Sequence, residues 1–231
     1  MVYITGDIHG DPYRIRKFCD KIGVTRQDTI IILGDVCVNY WLDKAPWNDE
    51  IAKLALSTCG ATVLCVHGNH EARPATVKGY ELKEWKGGKV WVQEGYPSLL
   101  FAKDGEVFNI EGKRYMPIGG AYSVDMPYRQ HTGFWWPDEQ PSDEIKTFVE
   151  AQLSQNKVDI ILSHTCPYKY RPIEAMLPGL DQSTIDHSTE HWLGKIENST
   201  DYEAWYCGHW HINKRIDKMH FLFDDFESPN Q

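Results

Sequence analysis

Short polar clusters of this chain bring together eight residues whose side chains are suited to holding metals or moving protons. Asp7 and His9 lie in Gly6-Asp7-Ile8-His9-Gly10, Asp35 follows Gly34, and Asn69 and His70 lie in Gly68-Asn69-His70-Glu71. His164 follows Ser163, and His209 and His211 close the set in Gly208-His209-Trp210-His211. Together they offer two carboxylates, one amide and five imidazoles. In Asp-x-His and His-x-His, alternate residues of an extended chain share one side, so both side chains can face one cation. Imidazole and oxygen donors without thiolate suit zinc, iron or manganese better than a Cys-rich zinc site or an all-oxygen calcium site. The donors outnumber the usual four of one zinc, which points to a binuclear centre with a bridging carboxylate. Such centres hold their ions roughly 3.5–4 Å apart and generate a bridging hydroxide near neutral pH.

Five β-branched, apolar runs lead into these clusters: 2–5, 29–33, 61–66, 158–162 and 202–207. Continuous runs of this length suit strands buried on both faces. In open α/β sheets ligands bind at the carboxyl ends of strands, so clusters distant in sequence can converge. Helical spacing fills the gaps. In 11–22, Ile15, Phe18, Cys19 and Ile22 share a face, with Asp11 as N-cap, Pro12 in the first turn and Gly23 at the stop. In 46–58, Trp47, Ile51 and Leu54 share a face, and 143–155 repeats the pattern. The order β-α-β-α-β favours parallel pairing through helical crossovers. Segments 88–93, 98–102, 106–111 and 113–118 look like meandering strands, and 212–217 with 219–224 like a hairpin. Two packed sheets with helices outside reconcile the two patterns. No repeat or linker divides the chain, so residues 1–231 are expected to form one domain.

Two long stretches, 119–142 and 165–187, follow strand ends and are read as active-site loops. Their aromatic content favours ordered lids, and Tyr122, Trp135, Trp136 and Tyr168 are candidates to stack a base or sugar. Arg73, Asp125 and Arg129 are candidates to meet substrate.

In this order, GDIHG, GDV, GNHE, a lone SH and GHWH resemble the motifs of the calcineurin-like metallophosphoesterase superfamily, over residues 6 to 211. The resemblance implies a four-layered α/β/β/α sandwich of two mixed sheets flanked by helices. It implies that Asp7, His9 and His211 hold one metal, that Asn69, His164 and His209 hold a second, and that Asp35 bridges them. It makes His70 the general acid or transition-state donor. Two divalent ions are the implied cofactor, manganese foremost, with iron and zinc as alternatives. Asp35 is followed by Val36-Cys37-Val38-Asn39-Tyr40, without the arginine of the protein phosphatases' GDxVDRG block. A small-molecule or nucleotide phosphoester, mono- or diester, is therefore the expected substrate. The alternative from another class is a catalytically silent scaffold of this fold that binds proteins.

The formal net charge of -9 argues against an extended nucleic-acid surface and against polybasic membrane attachment. No apolar run approaches the ~20 residues needed to span a bilayer. The opening residues lack the basic and apolar regions of a signal peptide. The six cysteines are scattered, with no CxxC pair, as in an intracellular, cytoplasmic protein without a disulfide framework. The oligomeric state is left open.

Overall fold

The computed structural model describes residues 1–179 and 181–229. The first three strands, β1 (Val2–Thr5), β2 (Thr29–Ile32) and β3 (Thr62–Cys65), lie parallel, with Ile4 opposite Ile31 and Ile31 opposite Leu64. The crossovers are α1 (Pro12–Ile22) and α2 (Pro46–Ser57), as the order of patterns predicts. Asp11 caps α1 by accepting the Tyr13 N–H at 3.0 Å, and Gly23 ends it at φ 71°.

The meander follows as β4 (Tyr80–Trp85), β5 (Gly88–Gln93) and β6 (Leu99–Ala102). Strand β6 joins β3 in parallel, and β5 and β4 extend this sheet antiparallel. The next pair, β7 (Phe108–Ile110) and β8 (Lys113–Ile118), opens a second sheet. Beyond it come α3 (Met126–Thr132), α4 (Asp143–Gln155), β9 (Ile160–Ser163), α5 (Ser188–Ser199) and β10 (Ala204–Cys207). The chain closes with β11 (Lys214–Ile216), β12 (Met219–Phe221) and β13 (Phe226–Glu227). The sheet orders are β13-β1-β2-β3-β6-β5-β4 and β11-β12-β10-β9-β8-β7. Both sheets mix parallel and antiparallel pairs.

Three apolar clusters separate four layers. Alternate side chains of a strand face opposite sides of its sheet. Ile31 and Leu33 therefore point between the sheets, where they meet Ile160, Leu162 and Tyr206 of the second sheet. Ile30 and Ile32 point outward to Ile15 and Cys19 of α1 and to Ala52 and Leu56 of α2. On the far side, Ile161 and Trp205 pack on Val149 of α4 and on Trp192, Leu193 and Ile196 of α5. The result is the α/β/β/α sandwich. Each fully buried Ile or Leu contributes ~1.5–3 kcal/mol of apolar burial, which fixes the strand ends that carry the polar clusters. At the start of β9, Asp159 accepts the Arg114 N–H at 2.9 Å and two guanidinium N–H groups at 3.0 Å, tying β9 to β8.

The face of α2 differs from its expected one. Trp47, Ile51 and Leu54 are exposed, at 62, 58 and 58%, and the buried face is Ala52, Lys53, Ala55, Leu56 and Ser57 with Asp49. The small residues let α2 sit close against the sheet. Asp49 is drawn inward because its carboxylate accepts the N–H groups of Tyr40, Trp41 and Leu42. Among the described residues no helix is long and apolar enough to cross a membrane.

Candidate metal centre

The polar clusters sit at the carboxyl ends of β1, β2, β3, β9 and β10, and backbone groups bind each to another. The Asp35 carbonyl accepts the His9 N–H at 2.8 Å, and Oδ1 of Asp35 accepts the His70 N–H at 2.8 Å. Both oxygens of Asp7 accept the His209 N–H, at 2.9 and 3.1 Å. Nδ1 of His164 donates to the Leu33 carbonyl at 2.7 Å, across the gap between the two sheets. That bond makes Nδ1 the donor and turns Nε2 of His164 inward, toward Asn69 and Asp35.

Three groups of donor atoms, each within 4.8 Å of one another, result: Asp7, His9 and His211; His9, Asp35 and His70; and Asp7, Asp35 and His164. Nε2 of His9 and Nε2 of His211 face each other at 2.8 Å, with Oδ2 of Asp7 3.8 and 3.3 Å away. Asp35 turns Oδ2 toward His9 at 4.0 Å and Oδ1 toward His164 at 3.4 Å. Asn69 brings its Oδ1 within 2.8 Å of Nε2 of His164. His209 stands in none of the three groups, but its ring lies against that of His164, centroids 5.0 Å apart. This donor set fits divalent cations. Donor atoms converge at close range, and Asp7 and Asp35 are buried with imidazoles as neighbours and, among the described residues, no lysine or arginine paired to either.

The backbone is held in an unfavourable conformation here. His9, Asp35, Cys37, His209 and His211 all have left-handed φ, between 44 and 66°. Non-glycine residues adopt this region at a cost, and such strain persists where the surrounding structure over-determines it. Glycine is required where the clusters touch. A Cβ at Gly208 would collide with the Asp7 carboxylate, and one at Gly34 with the His164 ring.

Electrostatics follow from burial and proximity. Burial pushes the Asp35 carboxyl up, but the imidazoles of His164, His70 and His9 and the His70 N–H outweigh it and hold it low. Burial, with His164 beside it, drives His209 down to about 3, so its ring is neutral at ordinary pH. Burial lowers His70 against the opposing pull of Asp35. The Asp7 partner raises His211. Burial, and then the nearby Asp35, push the Glu71 carboxyl up to about 8.

Supporting residues surround this set, among them Arg129, which the sequence offered as a substrate contact. Nδ2 of Asn69 donates to Oγ of Ser123 at 2.9 Å, and that hydroxyl donates to Glu139 at 2.6 Å. Arg129, 2% exposed, donates to Ser123 and to the Asn69 carbonyl at 2.9 Å, so it lies behind Asn69 and outside the cavity. Glu71 accepts the Gly68 and Cys37 N–H groups at 3.0 and 2.7 Å and locks the turns after β3 and β2 together. Ser123 and Glu139, which the sequence did not single out, fall within 119–142, where no periodicity or motif marks them.

The substrate candidates divide. Asp125 lines a cavity of about 340 Å³ that opens onto Asp35, Asn69, His70, His209 and His211. Arg73 is turned away from that cavity: it pairs with Asp104 and donates to the Asp138 carbonyl at 2.8 Å, lining a separate hollow. Of the aromatic candidates, Tyr122 lines the cavity. Tyr168 is stacked on His191 and covered by Arg171, and Trp136 packs on Tyr40 and Arg129. The loop 165–187 folds into 3₁₀ turns at Tyr168–Tyr170, Ile173–Ala175 and Gln182–Thr184, and its residue 180 lies outside the described residues.

Comparison with known proteins agrees with the fold. The chain aligns with a crystal structure of TT1561 of Thermus thermophilus at a TM-score of 0.53 and 15% identity, over 96% of this chain and 87% of that one. A second solved structure, 12% identical, aligns at 0.53 over 96% of this chain and 88% of its own. At these identities the likeness shows the fold. No curated protein matches the sequence. The family model for calcineurin-like phosphoesterases matches residues 1–213, which contain every strand-end cluster described above. The chain belongs to the calcineurin-like phosphoesterase family, whose members are metal-dependent phosphoester hydrolases.

Proposed function

We propose that this chain hydrolyses a small-molecule or nucleotide phosphoester with two divalent cations, manganese foremost. Asp7, His9 and His211 would hold one cation, Asn69, His164 and His209 the other, and Asp35 would lie between them. The observation that carries this reading is Asp35 itself. Its two oxygens diverge toward different donor groups, 4.0 Å from His9 and 3.4 Å from His164, as a bridging carboxylate requires.

Bound cations would acidify water and neutralise phosphoryl charge. The protein's own groups do the rest. Nδ1 of His164 stays protonated toward Leu33, so its ring orientation is fixed before any cation arrives. Ser123 holds Asn69 by its amide nitrogen, so that the amide oxygen faces inward. The His70 N–H bond to Asp35 sets the imidazole of His70 at the cavity's edge. There it can give a proton to a departing oxygen, the role of a general acid.

The test is hydrolysis of p-nitrophenyl phosphate and bis-p-nitrophenyl phosphate by metal-stripped protein reloaded with manganese. Turnover that depends on manganese and is lost in Asp35→Asn supports the reading. Metal-independent turnover, or full activity in a folded Asp35→Asn, contradicts it.

A further inference from the structure

Two hollows meet at the metal centre, and their linings say what they would accept. The first is the cavity of about 340 Å³, whose walls above the donors include Val124, Met176, Leu177, Ile185 and Trp210. The second is a groove lined by Pro12, Tyr13, Tyr40, Trp41 and Ile51. His70 borders both, and His9, which borders the groove, has its ring 5.5 Å from that of His70. The outward apolar face of α2 therefore has a use: Ile51 forms one wall of the groove.

Neither hollow has a wall of lysine or arginine. Among the described residues, no lysine or arginine lines either one, and the cavity's acidic side chains are Asp35, Asp125, Asp186 and Glu190. Nearby cationic groups are turned to other partners and line neither hollow. Arg129 is bound to Asn69 and Ser123, and Arg171 to His187 and the Tyr168 ring. Arg14 donates to the Gly6 and Asp7 carbonyls, and Lys44 to the Thr132 and Gly133 carbonyls. An anionic arm would enter without a partner and, in the cavity, beside carboxylates. Apolar and flat groups meet walls of their own kind.

We infer that the substrate is a phosphodiester with two uncharged arms, an apolar one in the Val124–Leu177–Trp210 cavity and a flat ring in the Tyr13–Trp41–Ile51 groove, with its phosphorus between them. This rests on the phosphoester reading of the site and excludes polyphosphate substrates. In the reaction one water adds across one ester bond. Its oxygen bonds to phosphorus, and the broken P–O bond leaves its electron pair on the departing oxygen. That oxygen takes a proton, and the products are a phosphomonoester and an alcohol or phenol.

The experiment uses the manganese-loaded full chain and three substrates: p-nitrophenyl phenyl phosphate, its p-carboxyphenyl counterpart, and p-nitrophenyl phosphate. The phenyl diester is expected to exceed both others at least tenfold in kcat/KM. In Trp41→Ala the diester-to-monoester ratio should fall at least fivefold. In Ile51→Lys, an exposed position where folding is not at stake, the preference between phenyl and carboxyphenyl arms should reverse. A preference for the monoester, equal rates on both diesters, or an unchanged preference in Ile51→Lys overturns the inference. Calorimetry separates this from failure of the hydrolase reading, because it needs no turnover. Diphenylphosphinate should bind at least fivefold tighter than methylphenylphosphinate, of equal charge, and Ile51→Lys should reduce that ratio. Equal binding of the two overturns the two-arm reading even if no phosphoester is hydrolysed.

Discussion

The backbone N–H of His209 donates to both carboxylate oxygens of Asp7, joining the last strand-end cluster to the first across 202 residues. The bond orients Asp7 from behind, as groups beyond a metal's direct ligands commonly do. It also makes the spacing at Gly208 critical, because that residue's backbone passes against the same carboxylate.

Gly208→Ala is therefore expected to displace Asp7. Overpacking of this kind costs ~1–3 kcal/mol, and a ligand moved off its position weakens metal binding further. Thermal unfolding of the metal-free protein and chelator competition on the loaded protein check the two effects separately. Wild-type metal affinity in the variant would remove the Asp7–His209 contact from the account.

His70→Asn removes the proposed proton donor and none of the seven proposed ligands. Turnover should fall ~10²–10⁴-fold, the range of general acid catalysis, while metal content stays at the wild-type level. The deficit should be larger for a phosphoester with a poor leaving group than for a p-nitrophenyl ester. Steady-state kinetics with metal analysis of the same samples reads both, and a deficit independent of the leaving group would assign His70 another role.

Ser123→Ala takes away the hydroxyl that holds the Asn69 amide nitrogen at 2.9 Å. Loss of such an orienting partner typically costs 10–100-fold in metal affinity. Of the two proposed metal-binding steps, only the one assigned to Asn69 and His164 should weaken. Stepwise titration of metal into the stripped variant shows whether one step or both change.

Acid stability should depend on Asp159. Hydrogen bonds from Arg114 hold its carboxyl down at about 2, against a smaller upward push from burial. A depressed carboxyl stabilises the fold fully above its unfolded value of ~3.9 and loses that contribution as pH falls toward its folded value. Asp159→Asn should therefore be less stable than wild type by roughly 1–2 kcal/mol at pH 7, with the gap closing between about pH 4 and 2. Urea unfolding at pH 7, 4 and 3 measures it.

The sequence makes the buried strands and the candidate centre legible for one physical reason. Strands buried on both faces must be continuously apolar, so polar clusters at their ends stand out, as at Leu33-Gly34-Asp35 and Val66-His67-Gly68. What it conceals follows other rules. Strand β4 is missed because its side chains are largely exposed at the sheet edge, where no inward face imposes alternation. Helix α5 is missed because Gly194 and several polar residues interrupt a face carried by Trp192, Leu193 and Ile196. Helix α3, seven residues long with Pro127 in its first turn, is too short to show a period. The wrong face of α2 is chosen because Trp47, Ile51 and Leu54 follow helical spacing, while the buried side is built from small residues and an aspartate with backbone partners. Arg73 and Arg129 show the limit for substrate contacts, since a free guanidinium and one engaged with Asp104 or Ser123 look the same in a sequence.

The most direct test of the account is to count metals while watching turnover. Manganese is titrated into the stripped protein, and occupancy by native mass spectrometry is set against hydrolysis of bis-p-nitrophenyl phosphate. Two equivalents should bind, turnover should rise with the second, and Asp35→Asn should lose both the second equivalent and the activity. Saturation at one equivalent with full turnover, or a folded wild-type chain that takes up no metal, would contradict the binuclear hydrolase.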